Sequence, residues 1–319
     1  MTFLIDKEWD GRPILSFIKN KLKISTKALA ALKRDEMGIT VNEVHVTVRH
    51  VLRVGELLSV NDKDSFDDVN ENIEPADIPL DIIFENDELM VINKPSDMPT
   101  HPSHNHHNDT VANAVAHIYA QRGLPLVFRP MGRLDRNTSG IVILAKNAVS
   151  ASFLSYARRH KLISKTYIAL LCGRIDDSKA SYTIDNYMKR TDGSVIMRCV
   201  SDANDEDSMH AVTHFRVLYT DDNISVVEAI PETGRTHQLR VHFAHIGHPI
   251  LGDDIYGQGS DYIQRHALHA TSLALPLPYD VDTTTVFRAS VPEDMQRAFK
   301  EITGLELQGI IKQTAKGEI

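Results

Sequence analysis

A single aspartate between two arginines is the part of the sequence best suited to chemistry. Asp135 lies between Arg133 and Arg136, and a Thr-Ser-Gly turn at 138–140 leads into the apolar run 141–145. This order predicts a carboxylate held on a loop at the mouth of a buried strand. An opposite charge within a few ångströms lowers the pKa of a carboxylate by about one to three units, so the arginines would keep Asp135 ionised. Such a carboxylate can act as a base, a nucleophile or an electrostatic stabiliser, while the arginines would also attract phosphate.

A structural ion pair is the simpler interpretation of an isolated Arg-Leu-Asp-Arg sequence. The complete string over 132–140, Gly-Arg-Leu-Asp-Arg-Asn-Thr-Ser-Gly, favours catalysis. It resembles the signature of the RluA-like pseudouridine synthases (large ribosomal subunit type), whose usual form is His-Arg-Leu-Asp-x-x-Thr-Ser-Gly. The resemblance implies that Asp135 is the essential catalytic residue. Gly132 replaces the usual His, which is not the reacting group, so the implied chemistry is unchanged.

A second string over 231–242, Pro-Glu-Thr-Gly-Arg-Thr-His-Gln-Leu-Arg-Val-His, is similar to another family motif. The resemblance implies that its Arg235 pairs with the catalytic Asp135. The family pattern Lys-x-Tyr at 165–167 implies that the ring of Tyr167 lies against the target uracil, with its hydroxyl as a candidate proton acceptor. Read alone, Tyr167 would be a half-buried strand aromatic. In all, the resemblance covers about residues 81–300 and implies catalytic roles for Asp135, Tyr167 and Arg235.

Several further residues are candidate contacts to the RNA substrate. Lys94 belongs to the segment 93–102, which matches the start of the family's catalytic domain, and we assign it to site architecture and phosphate contact. A lysine at a strand end is otherwise most often a surface charge. Arg133 is a candidate to fill the space that a displaced uridine vacates. Thr138 and His237, which belong to the two matched strings, are further candidates. The candidate contacts in this region are therefore Lys94, Arg133, Thr138 and His237.

Two histidine groups, at 101–107 and 237–245, invite a metal-site interpretation. Neither has the His-Glu-x-x-His pattern or cysteine partners, so we expect no metal. The implied reaction also needs no nucleotide cofactor, and the chain lacks a dinucleotide- or phosphate-binding glycine loop. A metal-dependent hydrolase remains an alternative that predicts bound metal. A non-catalytic RNA-binding or ribosome-assembly protein is a second alternative, and it predicts loss of the catalytic Asp, Tyr or Arg.

The N-terminal region 12–63 has the pattern of a small basic α+β domain. Apolar residues recur at helical spacing over 13–34, with a restart at Ser25-Thr26, and short strands are predicted at 39–42, 44–48 and 55–60. This region contains ten lysines and arginines but only five acidic residues. It is similar to the domain named after ribosomal small-subunit protein four, although an α+β cap with solvated lysines fits the pattern too. The candidate RNA contacts here are Lys23, Lys27, Lys33 and Arg34.

The rest of the chain divides into an acidic linker at 64–80, a catalytic domain at 81–303 and a C-terminal tail at 304–319. The linker holds six acidic residues and no lysine or arginine. Helices are predicted at 110–120, 148–159, 236–246 and 292–302, between strands at 82–84, 89–92, 141–145, 166–172, 214–218 and 224–228, with an exposed hairpin loop at 201–208. This order predicts an α+β protein. The resemblance implies a pseudouridine synthase fold with a mixed, largely antiparallel central sheet and flanking helices.

The bulk composition suits a globular protein that acts on RNA. The chain has 319 residues, a net charge of −8 and only two cysteines, and it lacks an apolar run long enough to cross a membrane. These features predict a cytoplasmic protein without a disulfide framework, and we take a monomer as the default. A local basic patch, rather than net charge, is what meets phosphate. The expected partner is RNA, ribosomal RNA first and transfer RNA second.

Overall fold

The computed structural model describes residues 1–61, 63–64, 70, 72–176 and 180–315. The N-terminal module, residues 1–61, packs two helices against a four-stranded antiparallel sheet with strand order β1-β4-β2-β3. Its elements are β1 Thr2–Leu4, α1 Ile14–Asn20, α2 Thr26–Leu32, β2 Ile39–Val41, β3 Val44–His45 and β4 Leu57–Val60.

The helices of this module form where the spacing of apolar residues predicted them. Ile14, Phe17 and Ile18 are buried on one face of α1, and the hydroxyl of Ser25 caps α2 by accepting a hydrogen bond from the amide of Ala28 at 3.2 Å. The predicted start at residue 12 was wrong. Strand β1 pairs with β4 along its whole length, so residues 2–4 also belong to the module.

The remainder of the chain builds one ten-stranded sheet with helices packed against it. The strand order is β10-β9-β11-β12-β8-β13-β7-β6-β5, and β14 pairs with β13. Its elements are β5 Asp81–Glu85, β6 Leu89–Lys94, α3 Val111–Gln121, β7 Ser139–Ala145, α4 Ala148–Arg159, β8 Ser164–Cys172, β9 Tyr182–Arg190, β10 Arg198–Ser201, β11 Met209–Thr220, β12 Ile224–Pro231, α5 Gln238–His245, β13 Leu268–Leu277, β14 Asp280–Arg288, α6 Glu293–Thr303 and α7 Leu307–Ala315.

This architecture confirms the predicted α+β class with a mixed, largely antiparallel sheet. Within the described ranges, neighbouring strands of the large sheet run antiparallel except β13 with β7. Four strands of this sheet were nevertheless missed by the predictions. Strands β9 and β14 carry many polar and exposed residues, and β10 has only four residues. Strand β13 was also not predicted, although it is largely buried. The loop at 202–208 also differs from the predicted hairpin, since β10 and β11 lie on opposite sides of β9.

Strand β7 is buried throughout and apolar from Ile141 to Ala145, because both of its faces are covered. Ile143 packs into a cluster with Phe153 of α4, while its neighbour Val142 packs into a cluster with Val115 of α3. Successive side chains of a strand point to opposite faces, so a strand buried on both sides reads as an unbroken apolar run. The sheet thus fixes the position at which the loop before β7 emerges.

The predicted linker and tail are largely integrated into the fold. In the linker, Ile73, Ile78 and Leu80 pack against the core, and Asp64 forms a two-point ion pair with Arg129 at 2.6 and 2.8 Å. In the tail, residues 307–315 form α7, whose Leu307 is buried. Residues 62, 65–69, 71 and 316–319 of the predicted module, linker and tail lie outside the described residues. Among the helices of the described ranges, none has the length and apolarity needed to span a bilayer.

The second residue of strand β7 is a glycine that the packing requires. Gly140 has a φ of +109° and pairs with Ala270 in the parallel register of β7 and β13. A Cβ at this position would lie 2.2 Å from the carbonyl oxygen of Ala270, which no relaxation of a side chain can relieve. The two backbones therefore approach closely only because residue 140 has no side chain.

We expect Gly140→Ala to lower the free energy of unfolding by about 3 kcal/mol or more, since backbone strain and overpacking each cost roughly 1–3 kcal/mol. Urea denaturation measures the change. Gly123→Ala is the matched control, because Gly123 also has a positive φ but has open space where a Cβ would lie. Its expected cost is about 1–2 kcal/mol. Equal costs for the two variants would contradict the close approach.

Candidate active site

An open cleft of about 710 Å³ lies between the Asp135 loop, the start of β8 and the segment that joins β12 to α5. The cleft brings together residues that are distant in sequence, including Asp135, Tyr167 and Arg240. Four further residues predicted from the sequence also line it, namely Arg133, Thr138, Arg235 and His237. Its volume falls in the range of sites that bind small ligands or a single nucleotide unit.

A buried lysine at the end of β6 holds the Asp135 loop in place. The ammonium of Lys94 is fully buried and donates to the carbonyls of Pro95 at 2.8 Å, Met98 at 2.8 Å and Arg136 at 2.9 Å. Burial lowers the pKa of Lys94 to about 7, but all three ammonium hydrogens have a carbonyl acceptor, which favours the protonated form. Lys94 therefore joins the end of β6 to the loop. The predicted contact of Lys94 with phosphate was wrong, because the side chain does not reach the surface.

A second buried cation holds the other end of the loop. Arg265 forms a two-point ion pair with Asp294 at 2.7 and 2.9 Å and also donates to the carbonyl of Asn137 at 3.1 Å. Next to it, the hydroxyl of Thr138 bonds to His266 at 2.8 Å. Thr138 is only 2% exposed, so it positions the loop and does not contact RNA as predicted.

Two more contacts set the direction of the loop. Leu134 is buried in the core, and Thr100 donates to its carbonyl at 3.4 Å. The hydroxyl of Ser139 bonds to Nδ1 of His269 at 2.9 Å. With Leu134 anchored inward, Asp135 turns into the cleft while Arg133 stays exposed at its edge.

The arginines on either side of Asp135 are not its partners. Arg133 is exposed and makes no ion pair among the described residues, and Arg136 pairs with Asp97 at 2.6 Å on the surface. Among the described residues, the basic side chain within 4.0 Å of the Asp135 carboxylate is His237, whose Nε2 lies 3.9 Å from Oδ2. The ion pair expected from the sequence order is thus absent in the described structure.

The predicted pairing of Arg235 with Asp135 was also wrong. Arg235 donates from Nε to the carbonyl of His210 at 2.9 Å and makes no ion pair with any described residue. Arg240 is instead the buried cation that faces Asp135 electrostatically. Burial opposes its charge, but the hydrogen bond with Asp253 and the fields of Asp253 and Asp135 raise the pKa of Arg240. Asp253 holds this guanidinium with two bonds of 2.7 Å.

The hydrogen bonds around His237 define its tautomer. Its Nδ1 lies 2.8 Å from the hydroxyl of Tyr256, and that hydroxyl already accepts the amide hydrogen of Arg198 at 2.9 Å. The hydroxyl satisfies all its partners when it donates to Nδ1, which leaves the hydrogen on Nε2, facing Asp135. Burial lowers the pKa of His237, Arg240 and Arg198 add to this, and Asp135 opposes it. The neutral ring thus directs an N–H at the carboxylate.

Tyr167 lies on β8 at the floor of the cleft. Its ring packs against two core clusters, and its position in the lining leaves one part of the ring facing the cleft. Burial, with a smaller contribution from the charge of Asp135, raises the pKa of Tyr167 well above its ordinary value. The phenol therefore keeps its proton.

The cations of the N-terminal module separate into two groups. Lys27, Lys33 and Arg34 are exposed, as the predicted RNA contacts require. Lys23 is half-buried, and its ammonium lies 4.8 Å from the centre of the Tyr156 ring on α4. Lys23 therefore serves at least partly as a contact between the module and the large sheet domain.

Several histidines bond to other side chains. His106 contacts Asp109, and His242 contacts the hydroxyl of Thr213 at 3.0 Å. Within the described ranges, no three His, Cys, Asp or Glu side chains are grouped as metal ligands.

Sequence reasoning missed Arg240, Arg265 and the two histidines that hold the loop. Arg240 had a usable signal, because it lies three residues after His237 in the matched string, on a helix whose neighbours Leu239 and Val241 are apolar. An arginine inside such a run is a candidate buried cation. Arg265 and His266 had no comparable signal, since their partners are about 29 and 128 residues away in the chain.

Comparisons with known proteins agree on one family. The family model described as RNA pseudouridylate synthase matches residues 88–245. An uncharacterized RNA pseudouridine synthase of Bacillus subtilis (strain 168), YjbO, is 36% identical over 88% of this chain and 96% of its own length. Ribosomal large subunit pseudouridine synthase D of Zymomonas mobilis subsp. mobilis is 35% identical over 71% of this chain and 74% of its own.

Among solved structures, human RNA pseudouridylate synthase domain containing 1 matches with a TM-score of 0.56 and 25% identity. The match covers 74% of this chain and 94% of that protein.

Removing the buried ammonium of Lys94 should loosen the Asp135 loop. We expect Lys94→Met to lower the free energy of unfolding by about 2–4 kcal/mol, because it leaves one buried and two partly buried carbonyls without their donor. Urea denaturation measures this. Lys300→Met, at an exposed ion pair with Glu306, is the control and should leave the stability close to that of the wild-type protein, because solvent screens an exposed ion pair. Similar effects of both variants would show that the Lys94 contacts do not hold the loop.

Acid should destabilise the protein through its buried histidines. Burial lowers the pKa of His266 to about 3 and that of His269 to about 4, below the unfolded value of about 6.5. Between these values the unfolded chain binds more protons than the folded protein. The contribution of these histidines to stability is therefore complete above pH 6.5. Below that pH, each histidine lowers the free energy of unfolding by up to about 1.4 kcal/mol for each unit by which the pH falls. Urea denaturation between pH 7 and pH 4 measures the slope. His269→Gln should make it shallower by up to one proton, whereas His160→Gln, at an exposed position, should not.

Proposed function

The chain belongs to the RNA pseudouridylate synthase family, and we propose on that basis that it isomerises specific uridines of ribosomal RNA, with Asp135 as the catalytic carboxylate. Three features of the relatives and the cleft support this proposal. Relatives at 33–35% identity carry names that refer to the large ribosomal subunit. The matched string around Asp135 lies at the centre of the cleft, and exposed cations such as Arg133 and Arg158 border it. Transfer RNA remains the second candidate substrate.

The reaction is an isomerisation that needs no external reactant. The bond between the ribose anomeric carbon and N1 of uracil breaks, the ring turns, and a bond forms from the same carbon to C5. C5 loses one proton and N1 gains one, so atoms and charge balance. Two routes for the first step stay open: the Asp135 carboxylate attacks the anomeric carbon, or it removes a proton from the sugar.

The surroundings of Asp135 favour it over the other carboxylate of the cleft. Glu232 also lines the cleft, but it forms an ion pair with Lys161 and lies 3.3 Å from Nε2 of His214. Asp135 has no direct cationic partner closer than 3.9 Å among the described residues. A carboxylate without a close ion pair keeps its lone pairs available for a reacting carbon or proton, which is why we assign the chemistry to Asp135.

Arg240 and His237 would support the carboxylate from two sides. Arg240 contributes a fixed positive field, because Asp253 holds its guanidinium at two points and neither group moves independently. His237 would direct its Nε2–H at whichever carboxylate oxygen is not reacting and so limit rotation of the Asp135 side chain. Both are positioning residues, since they act on the substrate through Asp135.

Tyr167 would hold the uracil by stacking. The exchange of ring atoms requires the base to stay in the cleft while its bond to the sugar is broken. Stacking of a base on an aromatic ring contributes roughly 1–3 kcal/mol, which is enough to retain it. Because burial raises the pKa of Tyr167, the phenolate is disfavoured, and we assign the residue to stacking ahead of proton removal at C5.

The target uridine must leave its stack to reach this cleft, at a cost of a few kcal/mol. Arg133 is exposed at the edge of the cleft and carries a charge without an ion pair among the described residues. We propose that it takes the space of the displaced uridine or holds the strand from which the uridine came.

We expect Asp135→Asn to reduce pseudouridine formation by on the order of 10³-fold or more, because an amide can neither attack the sugar nor accept its proton. The measurement is the pseudouridine content of unmodified large-subunit ribosomal RNA, transcribed in vitro and incubated with each protein. RNA binding and the unfolding midpoint should stay near the wild-type values.

Asp222→Asn is the matched control, since Asp222 is exposed on the turn between β11 and β12, away from the cleft lining. It should leave turnover unchanged. Full turnover by Asp135→Asn would refute the assigned chemistry. If the wild-type protein binds this RNA but does not modify it, the second alternative, a non-catalytic RNA-binding protein, would replace the present proposal.

A further inference from the structure

Helix α4 connects the N-terminal module with the catalytic cleft. Val149, in its first turn, is buried in the core cluster of the module, and Arg158, near its last residue, lines the cleft. Nine residues of α-helix separate the two positions, which corresponds to a distance of about 14 Å along the axis. The helix therefore spans the gap between the two regions.

The module is seated on α4 by contacts of three kinds. Apolar contact comes from Val149, a hydrogen bond joins the hydroxyls of Ser152 and Ser25 at 3.1 Å, and the ammonium of Lys23 lies over the Tyr156 ring. A fourth contact comes from outside α4, where Tyr279 packs edge-on against Phe3 with 5.7 Å between ring centres. These contacts hold the module in one orientation relative to the cleft.

The surface that runs along this junction is cationic. Arg158, Arg159 and His160 follow one another at the end of α4, and all three are exposed. His160 packs on Tyr156 with 4.0 Å between ring centres, and Lys23 approaches the same tyrosine. We call this set the α4 ridge; it consists of Lys23, Tyr156, Arg158, Arg159 and His160.

A helix-dipole effect accounts for only part of the ridge. Cations in the last turn stabilise a helix by about 0.3–1 kcal/mol, which would explain Arg158 and Arg159 as structural charges. It does not explain why the ridge continues to Lys23 and then to the exposed Lys27 on a different helix. Neither arginine has an ion-pair partner in the part of the chain that the structure describes, so both charges remain available.

We propose that the α4 ridge binds the RNA strand that leaves the cleft and guides it onto α2 of the N-terminal module. The inference rests on the proposed function, because it takes RNA as the occupant of the cleft. The partner is a single strand of RNA, recognised through its phosphates by the guanidinium of Arg159 and the ammonium groups of Lys23 and Lys27. Because α4 sets the spacing, the module contacts RNA at a fixed distance of a few nucleotides from the target uridine.

Salt dependence of RNA binding tests the ridge independently of catalysis. The variants are Arg159→Gln, Lys27→Gln and the double variant, and the probe is unmodified large-subunit ribosomal RNA transcribed in vitro. Each lost phosphate contact lowers the slope of log K against log salt by about 0.7–0.9. We expect each single variant to lower the slope by this amount and the double variant by about twice as much.

The matched control is the pair Arg297→Gln and Lys312→Gln, which removes the same charge from positions on α6 and α7. This pair should leave the slope as in the wild-type protein. The inference is overturned if the Arg159 and Lys27 variants behave like the control pair, or if only one of the two single variants changes the slope. Pseudouridine formation is measured separately, so a failure of the proposed function would appear there and not in the slopes.

Discussion

The ammonium of Lys94 and the three carbonyls around it are the contact on which the site most depends. Burying a charge costs several kcal/mol, and here three acceptors at 2.8–2.9 Å offset that cost. One acceptor belongs to Arg136, next to the catalytic candidate Asp135, and the others belong to the chain that leaves β6. The contact therefore fixes a loop that has no regular secondary structure to the most buried part of the sheet. Without it, the loop would lose its direct link to the end of β6.

The cations near Asp135 have different roles, which depend on how deeply each is buried. Lys94 and Arg265 are buried and bind backbone carbonyls of the loop, so their charges hold the Asp135 loop in place. Arg240 is buried against Asp253 and contributes a field. Arg133 is exposed and available to meet a substrate. This arrangement leaves the Asp135 carboxylate without a close ion pair among the described residues, which a reacting group requires, while its surroundings stay strongly positive.

The same separation of charges resolves the conflict between a net charge of −8 and an RNA substrate. Part of the negative charge belongs to the 64–80 segment, where Asp64 is neutralised by Arg129 and the apolar residues pack on the core. Exposed lysines and arginines also lie close together on α4 and α2. An acidic composition therefore does not prevent a local cationic surface, and such a surface is what phosphate meets.

The sequence by itself determined the elements and the candidate for the reacting group. The start of α2 at Ser25, the apolar run of β7 and the string around Asp135 depend on residues close together in the chain, so local patterns revealed them. The polar strands β9 and β14 lacked such a pattern and were missed. Only the tertiary structure decided which cation faces Asp135. The left-handed backbone of His237, with φ at 58°, turns the chain sharply, so Arg235 points to β11 while Arg240 points inward. The direction of a side chain depends on backbone angles and on distant partners, and neither is visible in a string of residues.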